Sequence, residues 1–172
     1  QTFDEIVPDL SQRLLDITHQ SFQFNPEADL VVEVDVTTFQ DLLATSQAHT
    51  HQSLHQCASC LSQLSQAADM YQGELMTGFD MVDGPAFEEW LLLQRELLHQ
   101  QAIMVLQTLV EAYESQADYE RAYGYASQLL SLDMYREASY RHLMRLLTWR
   151  GLPGQALAQY ATCRQLLQDE LG

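Results

Sequence analysis

Lysine is absent from this sequence: all eight basic residues are arginines, set against 24 Asp and Glu for a net charge of −16. That charge repels a phosphate backbone, so the chain alone is a poor non-specific nucleic-acid binder. Long apolar runs are absent too. Nothing approaches the roughly 20 residues that cross a bilayer, and no charged-apolar-small signal segment opens the chain. The expectation is a soluble, cytoplasmic protein with no membrane partner. The three cysteines are an odd number and fit no disulfide framework. Catalytic signatures are missing: there is no Gly-rich phosphate loop, no His-Glu-x-x-His and no Gly-x-Ser-x-Gly. The carboxylates are scattered along helix-patterned stretches, where they solvate a surface. No enzyme activity is expected.

What is present is a repeat. The chain has 172 residues, 47% of them hydrophobic, enough for one packed domain, or one domain plus a fragment of another. Between Leu106 and Leu171 the sequence matches itself at an offset of 34 residues. Leu109 meets Leu143, Val110 meets Met144, Tyr113 meets Leu147, Ala122 meets Ala156, Ala126 meets Tyr160 and Leu132 meets Leu166. Ala117-Asp118-Tyr119 and Gly151-Leu152-Pro153 fall at the same place in the two copies, between paired helices. That period is the period of tetratricopeptide repeats, helix–turn–helix units that bury a face only by stacking on a neighbour. The fold class expected is all-α, a tetratricopeptide-like helical repeat preceded by a short β segment.

The rest of the chain supplies the elements. Ile6, Leu10 and Leu14 give the opening a short helical look, interrupted by Pro8. Ile17 to Phe24 alternates as a strand or hairpin does, with Asn25-Pro26 as a turn signal, and Leu30 to Val36 reads as another short strand. From Thr37 the pattern turns helical. Thr37 with Gln40 makes a capping box, and Phe39, Leu42, Leu43 and Ser46 share a face. After a polar break at His49 to Ser53, a stripe of Leu54, Cys57, Ala58, Leu61, Leu64, Ala68 and Tyr71 predicts a second helix. Gly73 and Gly78 bracket a connector that runs to Phe79. Asp83-Gly84-Pro85 starts a long helix reaching about Gln116, with a break near Gln100 left open. Asp118 caps a helix to about Leu132, and Asp133 caps the next, to Trp149. A final helix runs to Leu171 with Ala156, Tyr160, Cys163, Leu167 and Leu171 inward. Trp90 and Trp149 are read as core residues.

Tyr71-Gln72-Gly73-Glu74-Leu75-Met76-Thr77-Gly78-Phe79, then Phe87-Glu88-Glu89-Trp90 and Arg95, resembles the opening of the bacterial transcriptional activator domain of SARP and AfsR-type regulators. Asp118-Tyr119-Glu120-Arg121-Ala122, Arg136-Glu137-Ala138, His142 to Leu147 and Gln155 to Tyr160 continue the match, as does Leu167 to Gly172. The resemblance implies residues 37–172 as that domain. In the family it follows an OmpR-type winged helix. Ile17 to Pro26 looks like the wing hairpin, and Val34-Asp35-Val36 with Phe39 looks like the join, which makes 1–36 the end of a winged helix. About fifteen residues precede the wing, too few for a three-helix core, and they are acidic where a recognition helix should be basic. A fragment of a longer regulator is the favoured reading over a degenerate DNA-binding domain. DNA would then be a partner only through a winged helix mostly absent from this sequence.

Two groups of residues are candidates for sites. His49, His51, Cys57 and Cys60, with His55 nearby, offer the sulfur and nitrogen ligands that tetrahedral Zn²⁺ takes. Against that, Cys57 falls on the apolar stripe, where a free cysteine is usually a small core residue. No other cofactor is expected. Arg136, Arg141, Arg145 and Arg150 recur along one stretch. They either pair with nearby carboxylates or form a basic stripe for an acidic protein partner, such as a second copy of this chain. The expectation is an effector and oligomerisation region that works through protein partners, as a homodimer. The alternative is a free-standing helical-repeat scaffold that binds a protein or peptide without DNA.

Overall fold

The computed structural model describes residues 7–18, 22–25, 32–50, 53–78 and 84–171. Ile6, His19, Pro26, Leu30, His51, Phe79 and Asp83, which have roles in the sequence reading, lie outside the described residues, as does the side chain of Leu171. No described helix is long and apolar enough to cross a membrane. The chain divides into two compact units, Gln1–Val34 and Asp35–Gly172.

The first unit holds helix α1, Leu10–Leu14, and two strands, β1 (Leu15–Ile17) and β2 (Phe22–Phe24). The strands pair antiparallel with Leu15 opposite Phe24 and Ile17 opposite Phe22. Asn25 closes the hairpin on the helix, its backbone N–H donating to the Leu14 carbonyl at 2.8 Å. None of the described side chains of this unit is buried, and Val7, Ile17 and Phe24 face solvent. A five-residue helix beside three-residue strands has too little surface to enclose a core.

The second unit is helical throughout its described elements: α2 (Asp35–Ala48), a 3₁₀ turn at Leu54–Gln56, α3 (Ala58–Met70), α4 (Pro85–Ser115), α5 (Tyr119–Leu132), α6 (Glu137–Trp149) and α7 (Pro153–Leu171). Each helix packs on the next in sequence. Helix α4 is the axis. Gly84 caps it and Pro85 occupies its first turn, where a missing N–H costs nothing. Its 31 residues span roughly 46 Å at 1.5 Å per residue. It runs without a break through Gln100. Leu91, Leu98, Val105 and Ala112 recur every seventh residue, and with Ala102, Leu106, Leu109 and Tyr113 they are buried. The core joins these, from Leu98 onward, to Phe39 and Leu43 of α2, Leu61 and Leu64 of α3, Ala122, Ala126 and Leu129 of α5, and Leu143 and Leu146 of α6.

The 34-residue repeat reappears atom for atom in the turns. At the end of α4, Ala117 N–H donates to Glu114 C=O at 3.0 Å and Asp118 N–H to Tyr113 C=O at 2.9 Å. At the end of α6, Gly151 donates to Thr148 at 3.0 Å and Leu152 to Leu147 at 2.8 Å. Both are Schellman caps, in which a left-handed residue reverses the chain and satisfies the last carbonyls. The left-handed residues are Ala117, φ 57°, and Gly151, φ 76°. Asp118 then caps α5, its carboxylate accepting the Arg121 N–H at 3.2 Å. Ala122 and Ala156, each one turn into its helix, are both buried.

Several local expectations are corrected. Residues 32–34 form no strand, and α2 starts at Asp35 rather than at a Thr37 cap. Val-rich alternation yields a strand only beside a partner strand, and a carboxylate in the first turn favours a helix start there. The stripe from Leu54 to Tyr71 is not one helix: it breaks at Cys57, which is extended and caps α3. Asp133 does not open α6. It follows the end of α5, its carboxylate accepts the Tyr135 N–H at 3.2 Å, and α6 begins at Glu137. Tyr160 is 54% exposed instead of inward, because among the described residues no further helix stacks on α7. Trp90 and Trp149 are 48% and 47% exposed, so neither is a core residue.

Candidate metal centre and interaction surfaces

Helices α2 and α3 pack against each other. His49, just past α2, lies against the start of α3. His49 Nδ1 lies 3.1 Å from Cys60 Sγ and 3.3 Å from Cys57 Sγ. The three ligand atoms all fall within 4.8 Å of one another. Of the four residues predicted for this site, the structure therefore brings His49, Cys57 and Cys60 together, and His51 is the one outside the described residues.

The two thiols have different surroundings. Cys57 is half-buried at the helix N-terminus, and hydrogen bonds from the Ser59 hydroxyl, then from the Cys60 backbone and thiol, lower its pKa to about 6. Cys60 is fully buried, and that burial pushes its thiol up. Its Sγ lies 3.6 Å from the Ser46 carbonyl at the end of α2. The connector is also tied to the long helix: Gln116 donates its side-chain N–H to the His55 carbonyl at 2.7 Å. His55 faces Glu111 at 3.8 Å, away from the His49 cluster in its hydrogen bonding.

The arginines do not form one free basic stripe. Arg145 reaches across to α4 and donates to Glu114 at 2.5 Å, in a network that includes His142, 3.1 Å from the same carboxylate. Glu114 is largely buried there. Arg150 pairs with Glu120 of α5 at 2.6 Å and covers the Tyr123 ring. Arg136 lies against the side-chain amide of Gln107 on α4. Arg141 pairs with Glu137, one turn away on its own helix, at 3.7 Å, with both side chains well exposed. Three of the four thus join α6 to the helices before it, and Arg141 is the one turned most to solvent.

Helix α4 carries a surface that sequence reasoning missed. Trp90, Leu93, Leu97 and Met104 are all exposed, and their spacings of three, four and seven put them on one face of the helix. Trp90 packs on its neighbour Phe87, ring centroids 5.5 Å apart. The signal was visible as surplus: α4 has apolar residues on more than one stripe, and a helix needs only one to face a core. The four leave an apolar stripe of α4 exposed to solvent.

Residues 34–172 match the family described as the bacterial transcriptional activator domain. The chain is also similar to the regulatory protein AfsR of Streptomyces coelicolor, 30% identical over 139 residues, which is 81% of this chain. It spans 13% of that relative's length. No solved structure matches.

Proposed function

Because the chain belongs to the bacterial transcriptional activator domain family, we propose that it is the effector and oligomerisation region of a bacterial transcriptional regulator. In this reading it makes the protein–protein contacts for a winged-helix DNA-binding domain. The observation that carries the reading is the family match over 34–172. Residues 1–36 are read as the end of the winged helix, an assignment that the short helix followed by an antiparallel hairpin supports. Residues 37–172 are read as the activator domain. The acidic charge supports a role in which this segment does not itself grip DNA.

The partner favoured is a second copy of the chain, seated on the exposed stripe of α4. Two bodies that each carry a charge of −16 gain nothing from long-range attraction, whereas an uncharged apolar stripe associates without it. Arg141, the most exposed of the four arginines, is the residue best placed to reinforce such a contact by meeting a carboxylate of the partner. Pairing would let two weak DNA contacts act together and raise avidity.

Sedimentation of the 172-residue chain tests this. The expected result is a concentration-dependent dimer that Leu97→Glu separates and that salt barely affects. If Arg141→Glu with Arg145→Glu separates it instead, and salt does the same, the contact runs through the arginines. A monomer at every concentration up to high micromolar removes the oligomerisation role and leaves a scaffold for a different protein or peptide. In a mobility-shift assay at physiological salt the chain should leave duplex DNA unshifted. Tight, salt-sensitive binding would refute the reading of the first 36 residues.

A further inference from the structure

The regulator reading uses neither Cys57, Cys60 nor His49, yet these three side chains converge from the end of α2 and the start of α3. We propose that they form a zinc site that staples the end of α2 to the start of α3. The geometry comes first. A tetrahedral Zn²⁺ with bonds of about 2.3 Å to sulfur and 2.0–2.1 Å to nitrogen holds its ligands about 3.6 Å (S to N) and 3.8 Å (S to S) apart. Here the nitrogen lies 3.1 and 3.3 Å from the two sulfurs, and no pair of ligand atoms exceeds 4.8 Å. A metal enters with displacements of a few tenths of an ångström to about an ångström, which side-chain rotation supplies.

The chemistry agrees. Cys57 is the N-cap of α3 and Cys60 lies in its first turn, where the N-terminal N–H groups and dipole favour thiolates. Cys57 is reached from solvent, which provides an entry path. Cys60 is enclosed, and an uncompensated thiolate there would be costly. A divalent cation removes that cost, since two thiolates and a neutral imidazole leave the centre uncharged. On loading, each thiol that is still protonated gives its proton to solvent as its sulfur bonds the metal. The described residues supply three ligands, and tetrahedral zinc takes a fourth. A disulfide would use the two sulfurs alone and give no role to the imidazole nitrogen held beside both.

The site closes the connector that runs from His49 to Cys57, and that connector also reaches α4 through the Gln116–His55 bond. Metal occupancy therefore sets how firmly α2 is held against the array.

The test is Co²⁺ titration of the reduced chain, followed in the near-ultraviolet and visible. A thiolate-to-cobalt charge-transfer band with strong d–d bands, saturating at a single equivalent and reversed by Zn²⁺, is the expected result. Cys57→Ser keeps a residue that caps helices well, and His49→Ala changes an exposed residue, so both should fold, as circular dichroism would verify. Each should weaken Co²⁺ binding at least tenfold, while Cys163→Ser, a cysteine of α7 outside the cluster, should leave it unchanged. Added Zn²⁺ should raise the melting temperature of the wild-type chain and not that of Cys57→Ser. The proposal is overturned if the folded, reduced chain gives no charge-transfer band. It is equally overturned if the band survives both variants. A chain that takes up no metal but readily forms a Cys57–Cys60 disulfide would instead be a redox pair. None of these outcomes depends on DNA or on dimer formation, so the site stands or falls apart from the regulator reading.

Discussion

The two repeats are equivalent at one pair of positions and inequivalent at another, and that difference can be measured. Ala122 and its counterpart Ala156 are both buried. Substituting Leu at either inserts three carbons where helices touch, and should cost about 1–3 kcal/mol. Ala126 is also fully buried, but its counterpart is Tyr160, more than half exposed on α7. Ala126→Tyr therefore asks the first repeat to accept what the second repeat carries. The added ring has no solvent to enter, because α5 is covered by α4 on one side and α6 on the other. The expected cost is at the top of the overpacking range, about 2–3 kcal/mol or more. For a chain of this size each kcal/mol moves the melting temperature by about 2–4 °C, so the fall should be about 4–12 °C. Tyr160→Ala should change stability by less than about 1 kcal/mol, since exposed positions usually tolerate substitution and Ala is the better helix former. Thermal and urea melts of the four variants decide it. If Ala126→Tyr melts like wild type, or if Tyr160→Ala costs as much as Ala126→Tyr, the stacking order described for α5, α6 and α7 is wrong.

Three further outcomes follow from single contacts. Ala117→Gly places the residue of the second turn in the first, relieves a left-handed alanine at φ 57°, and should stabilise by about 0.5–1 kcal/mol in urea melts. Glu114→Ala removes the carboxylate that joins α4 to His142 and Arg145 of α6, and should cost about 1.5–3 kcal/mol; an unchanged melt would mean that the network contributes nothing. Asp118→Ala should cost about 1 kcal/mol through loss of the α5 cap. The Arg121 side chain and backbone hold the Asp118 carboxyl below its ordinary value of 3.8, so its contribution is full above that pH and fades as pH falls through the lowered value. The gap between wild type and Asp118→Ala should therefore close in acid melts, and a gap that widened in acid would contradict the cap assignment.

The repeat period, and the helix starts at Pro85 and Asp118, were legible in the sequence because they are local or nearly so. A register of 34 residues survives there because each turn needs a left-handed residue and each helix start needs a cap or a proline at fixed offsets. The match of Ala117 with Gly151 and the start of α4 at Pro85 follow from the order of the residues alone. The family resemblance was legible for the same reason.

Tertiary structure alone decided which apolar residues are covered. Periodicity assigns Trp90, Trp149 and Tyr160 to a helix face, but only the neighbouring helix determines whether that face is closed, and at these three positions it is open. The arginines are a second case. Spacing along α6 allowed a basic stripe, whereas stacking brought Glu114 to Arg145 across 31 residues and Glu120 to Arg150 across the α5–α6 contact. The strand expected at Leu30 to Val36 is the third. Alternation records a preference for a pleated surface, and only the presence of a partner strand makes that preference into a strand.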